Sequence, residues 1–197
     1  MNSSEEPDPP DAWRIPATAA IARETLASQP RLIRRQRRIS ADWEELEDFL
    51  GRIPAALAPS PFSVCLLSDR SIRSYNLRFR QKNEATDVLS FPMGPPEIGE
   101  ENYLGDILIS VQTAHRNATR FGLRLEDEIK ALILHGLLHL MGQDHERDNG
   151  QMTRHERRWA TRLGLAQSLL DRKLAKRRTA PLRRRRGSRS RSRRGPM

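Results

Sequence analysis

The sequence predicts an α+β domain: a small mixed β-sheet packed against several helices, with a histidine-rich metal site on the central helix and the turn after it. Three observations carry this. Short apolar, β-rich runs are separated by segments with helical apolar spacing. At 197 residues the chain is long enough for one buried core and little more. The clearest helical segment carries histidines four residues apart.

The elements follow in order. Around Leu32–Ile33 a short edge strand is expected. Ser40 is the predicted N-cap of a helix through ADWEELEDFLGRI, with Trp43, Leu46, Phe49 and Leu50 on one face. Pro54, Pro59 and Pro61 mark a loop. Phe62 to Ser68 reads as a strand, and Asp69 as the cap of a short helix reaching about Phe79. Thr86 to Phe91, ended by Pro92, and Gly105 to Val111 read as two more strands. Gln112 to Arg120 is a helix stopped by Gly122. Glu126, Asp127 and Glu128 place negative charge at the start of the next helix, where the dipole favours it. Ile129, Leu132, Ile133, Leu137 and Leu140 follow, and Gly142 stops that helix. A last helix runs from about Gly150 to Leu170, with Met152, Trp159 and Leu163 on one face.

Composition divides the chain into three parts. Residues 1–14 form an acidic, Pro-rich extension, and residues 175–197 an Arg/Ser-rich tail; both read as disordered. The folded domain is expected over 15–174. The net charge of +10 belongs to the tail. Thirteen of the 35 Lys and Arg residues, and no acid, lie from Arg172 onward. Residues 1–171 therefore hold 22 basic groups against 25 acidic ones, so the body is slightly acidic. No apolar run is long enough to span a membrane. The N-terminal MNSSEEPDPPDAW lacks the apolar stretch of a secretory signal. A lone cysteine, Cys65, excludes an internal disulfide framework and fits a reducing compartment. These features predict a cytoplasmic protein with no membrane partner.

The chemistry lies in His135-Gly-Leu-Leu-His139-Leu-Met-Gly-Gln-Asp-His145. His135 and His139 are four apart on a helix, so both rings leave one face at metal-bridging distance. Gly142 lets the chain reverse and bring His145 toward the same point. Three imidazoles make a first shell for a divalent metal, most often zinc, and leave a fourth position open, as catalytic sites do. The spacing equals that of the zinc-protease signature H-E-x-x-H-x-x-G-x-x-H. Where those proteases hold their general-base Glu, this chain has Gly136. The metal scaffold is present and the peptidase base is missing.

Three blocks together resemble the YbeY family of bacterial endoribonucleases. They are Asn76-Leu-Arg-Phe-Arg80-Gln-Lys-Asn-Glu-Ala-Thr86-Asp87-Val-Leu-Ser-Phe-Pro92, Leu104-Gly-Asp-Ile-Leu-Ile-Ser110, and the histidine block followed by Met152 and Glu156. The resemblance covers about Leu32 to Leu165. It implies a single-strand-selective, metal-dependent endoribonuclease acting in ribosomal RNA processing, notably small-subunit 3′ end maturation, and in ribosome quality control. It implies one zinc ion on His135, His139 and His145, and a functional arginine at Arg80. The family usually has a Tyr where this chain has Gln143. The two termini lie outside the resemblance.

A mechanism follows from these expectations. A zinc ion on three histidines lowers the pKa of bound water toward about 7 and supplies hydroxide to attack the phosphodiester. His139 is thus both ligand and part of the catalytic centre. Arg80 offers a permanently charged fork to the phosphoryl oxygens; otherwise it is one more surface arginine beside Arg73, Arg78 and Lys82. Asp144 is either an acceptor that orients a ligand or a turn residue. Ser90 and Phe91 either line the pocket or serve the fold. His115 and His155 read as ordinary histidines, Cys65 as an inert core residue, and Met152 and Glu156 as support around the site. RNA, as ribosomal precursor or small subunit, is the expected partner, with the Arg-rich tail binding its phosphates. Aromatic residues are only 5% of the chain, so composition offers no stacking platform that would explain single-strand preference. Two other readings remain: a metalloprotease-like zinc hydrolase, which Gly136 opposes, and a non-catalytic ribosome assembly factor with a structural metal.

Overall fold

The computed structural model describes residues 29–93, 103–143 and 150–165. The terminal extensions assigned from composition, together with Asp144 and His145, lie outside the described residues. The elements are β1 (Arg31–Arg34), α1 (Trp43–Gly51), β2 (Phe62–Leu67), α2 (Asp69–Arg80), β3 (Val88–Pro92), β4 (Gly105–Ser110), α3 (Val111–Phe121), α4 (Leu125–Leu140) and α5 (Gln151–Arg162). The strands form one mixed sheet in the order β1-β2-β4-β3. β1 pairs parallel to β2, β2 parallel to β4, and β3 antiparallel to β4. The expected α+β class with a small mixed sheet is what the chain adopts.

Strand alternation sends side chains to two unequal layers. Phe62, Val64 and Leu66 of β2 and Ile107 and Ile109 of β4 face a large core shared with α1, α3, α4 and α5. Cys65, Leu67, Leu89 and Leu108 face the other way and pack with Ile72 and Tyr75 of α2. Burial of each large aliphatic side chain contributes about 1.5–3 kcal/mol. Cys65 is buried in this second layer, and burial pushes its thiol up to about 11. It is an unreactive core residue.

Element boundaries depart from the expected ones at the caps. α1 is capped by Asp42 and not by Ser40: the Asp42 carboxylate accepts from the Glu45 backbone N–H at 3.0 Å. α2 is capped by Ser68, whose hydroxyl accepts from the Ser71 N–H, and Asp69 is the first helical residue. In both cases the better-placed side chain satisfies an otherwise orphaned helical N–H. Pro92 lies within β3 and not just after it. Proline is tolerated there because β3 is an edge strand. Residues 166–170 of the expected last helix lie outside the described residues. No helix among the described residues is long and apolar enough to cross a membrane.

α4 is the central helix. It packs over β3 and β4 and against α1, α3 and α5. One acidic side chain of α1 fastens its N-terminal half. Glu45 accepts from the Arg124 guanidinium at 3.2 and 2.5 Å, and from the Lys130 ammonium. The Arg124 hydrogen bonds, then those of Lys130, hold the Glu45 carboxyl well down, from its ordinary 4.5 to about 2. Lys130 is itself buried. Removing the carboxylate strands that charge, which costs more than a surface pair would. The stabilisation is complete above about pH 4.5 and is lost as pH falls toward about 2. Glu45→Gln should therefore destabilise the fold by about 1–3 kcal/mol at pH 7. In urea titrations at several pH values, the gap from wild type should close between about pH 4.5 and 2. A gap independent of pH would refute the ionic role.

Candidate metal centre

From Glu128 to Leu140 every residue of α4 is buried except His135 and His139. A helix enclosed on nearly all sides thus keeps one opening, and two imidazoles occupy it. Their Nε2 atoms lie 3.3 Å apart, with ring centroids at 4.8 Å and planes at 85°. That separation is long for a hydrogen bond between two nitrogens. It does match the edge of a tetrahedral site: zinc–nitrogen bonds of about 2.0–2.1 Å put two ligand nitrogens about 3.3–3.4 Å apart. The donor set and its spacing fit a divalent metal.

The helix end continues the arrangement. Gly142 adopts φ +77, a conformation that favours glycine. Its N–H donates to His139 O at 3.0 Å, and Gln143 N–H donates to Leu138 O at 3.0 Å. This six-to-one closure turns the chain sharply back on the last helical turn. His145 and Asp144 follow directly, outside the described residues. Among the described residues, no three His, Cys, Asp or Glu side chains form a metal-sized group.

α5 supports the pair from the side. Glu156 is buried, and its Oε1 lies 3.3 Å from Nδ1 of His135. A carboxylate at Nδ1 favours the tautomer that turns the Nε2 lone pair outward, toward a metal. His155, the residue before it, places Nδ1 3.0 Å from Oε1 of Gln143. The turn after α4 is thus fastened to α5 by the Gln143 side chain. Met152 is buried one helical turn before Glu156. The sequence assigned Glu156 and Met152 only a general supporting place. The contact with His135 depends on the crossing of α4 and α5, which no local pattern encodes.

The sheet supports the pair from below. Ser90 on β3 donates its hydroxyl to Gly136 O at 3.1 Å, beside His135. Gly136 lies so close to the sheet that an added Cβ would sit 2.7 Å from Ile107 Cγ2 and 3.1 Å from Ser90 Oγ. The missing protease base thus has a steric cause: this position faces the sheet and not the histidines. Arg80 ends α2, on the opposite face of the sheet. It is exposed and makes no hydrogen bond or ion pair among the described residues. The structure therefore gathers His135, His139, Glu156, Ser90 and the Gly136 backbone, and does not bond Arg80 to them. His115 lies exposed on α3, away from this group.

The family model for endoribonuclease YbeY matches residues 33–164. The chain is 44% identical over 128 residues to the endoribonuclease YbeY of Solibacter usitatus, spanning 64% of this chain and 83% of that one. It is 43% identical over 131 residues to that of Nautilia profundicola, spanning 66% of this chain and 92% of that one. A solution structure of a Thermotoga maritima protein superposes with a TM-score of 0.48 at 22% identity, over 80% of this chain and 99% of that one.

The steric account of Gly136 has a direct check. Gly136→Ala should lower stability by about 1–3 kcal/mol, because the Ile107 side chain must give way. Gly136→Glu should unfold the domain and create no peptidase. Thermal unfolding of both variants, with a casein assay, measures this. Wild-type stability for Gly136→Ala would contradict it.

Proposed function

The chain belongs to the endoribonuclease YbeY family, and from that premise we propose that it is a single-strand-selective, metal-dependent endoribonuclease. We assign it to ribosomal RNA processing, with small-subunit 3′ end maturation and ribosome quality control as its tasks. The observation that carries the reading is the His135–His139 pair: two imidazoles 3.3 Å apart at the opening of an otherwise buried helix. In this reading one zinc ion is held by His135, His139 and His145, in the cytoplasm.

The residues divide the work. When bound, zinc supplies Lewis-acid charge and a water acidic enough to ionise near neutral pH. His135 and His139 present their Nε2 atoms from a helix that cannot rotate, because its remaining faces are packed. Glu156, 3.3 Å from Nδ1 of His135, favours the tautomer that leaves Nε2 free for the metal. Ser90 holds the Gly136 carbonyl, and with it the height of the helix above the sheet. Asp144 orients a ligand or the attacking water. Arg80 binds the non-bridging phosphate oxygens as charge develops on them. The Arg-rich tail tethers the enzyme to RNA through phosphate contacts.

Metal analysis paired with RNA cleavage tests this. Wild type should hold about one zinc and cut single-stranded precursor RNA. His139→Ala should lose both. Arg80→Ala should keep the metal and lose cleavage by about 10²-fold or more. Glu156→Gln should bind zinc about 10- to 100-fold more weakly in a chelator competition. Zinc without cleavage, even on whole ribosomal particles, would sink the nuclease reading and favour an assembly factor.

A further inference from the structure

The end of α2 carries an aromatic surface that the proposed chemistry does not use. Phe79 is 42% exposed and Leu77 48%. The Phe79 ring is nevertheless held in place. Tyr75, one turn earlier, lies stacked on it with centroids 6.4 Å apart and 11° between planes. Phe91 of β3 meets it edge-on at 5.0 Å and 70°. A ring fixed by two others has already lost its rotamer freedom, so a ligand that stacks on it bears little ordering cost. Cations border it. The exposed Arg78 guanidinium lies over the Phe79 ring, with Cζ 5.6 Å from its centroid, and Arg80 and Lys82 are exposed just beyond. A flat apolar ring beside cations matches a nucleobase with its phosphates.

The position of this surface matters as much as its chemistry. Ser90 and Phe91 are consecutive on β3, an edge strand, and point to opposite faces. Phe91 touches Phe79. Ser90 touches the backbone beside His135. β3 thus touches the aromatic surface on one face and the helix that carries the histidine pair on the other. A single polynucleotide strand passing round that edge meets both.

We infer that Phe79 is a base-stacking platform for single-stranded RNA, seating an unpaired base while Lys82 takes an adjoining phosphate. The identity of the ligand rests on the nuclease reading above. The platform would supply strand selectivity, because a base inside a duplex has both faces covered by its neighbours. It is invisible in composition, since three rings from two elements suffice to build it.

The test is anisotropy of labelled decauridine and of a labelled RNA duplex of the same length. The full chain is used, with His139→Ala so that the probe stays intact, at about 0.3 M salt to weaken purely ionic contacts. Phe79→Ala and Phe79→Leu should each weaken decauridine binding about tenfold or more, and Phe79→Tyr should stay within about threefold of wild type. Duplex binding should not change. Phe79→Leu keeps apolar packing should Phe79→Ala fail to fold. Decauridine binding unaffected by Phe79→Leu, or single strand and duplex weakened alike, would overturn the platform. A chain that binds decauridine through Phe79 yet cuts no RNA would keep the platform and remove the nuclease. A chain that cuts RNA and is indifferent to Phe79→Leu would do the reverse.

Discussion

The close approach of α4 to the sheet at Gly136 is the constraint on which the rest of this structure depends. Ile107 and Ser90 fill the space a side chain would need there. The helix therefore lies low on β3 and β4, with α1, α3 and α5 closing its flanks. A helix so enclosed has few accessible positions, and from Glu128 to Leu140 only His135 and His139 are not fully buried. Their geometry follows from packing rather than from contacts they make with each other. Rigid helices place ligand atoms more accurately than loops do.

The polar contacts around this helix all restrain it. Glu45 ties its start to α1 through Arg124 and Lys130. Ser90 ties its middle to β3. Glu156 reaches the first histidine from α5, and the His155–Gln143 contact ties the following turn to the same helix. Each contact joins elements far apart in sequence. A pair of imidazoles held this way depends on the whole fold, since loosening any tie would move a ring. The two sides of the sheet divide the remaining tasks. Imidazole and carboxylate groups gather on the α4 face, and cationic and aromatic groups at the end of α2.

Much of this was legible in the sequence, for definite reasons. Helical apolar spacing and short β-rich apolar runs placed the four strands and five helices of the described residues. The His135 and His139 spacing placed the two rings side by side on one face, since four residues make about one turn. Gly136 announced the absence of a protease base. Its cause was not legible, because the atoms it avoids belong to β3 and β4. Asp42 and Ser68 outcompeted Ser40 and Asp69 as caps through local backbone geometry that composition does not specify. The Glu45–Lys130 pair, the Glu156–His135 contact and the Tyr75–Phe79–Phe91 cluster were hidden for one shared reason. Each requires knowing which elements cross.

We propose that α4 and its turn hold a metal with three imidazoles and one open position. X-ray absorption at the zinc edge of the purified full-length chain addresses it most directly. The account predicts about three imidazole nitrogens at about 2.0–2.1 Å, with a fourth, exchangeable oxygen ligand. A closed shell of four protein ligands, or zinc coordination unchanged in His135→Ala, would contradict it.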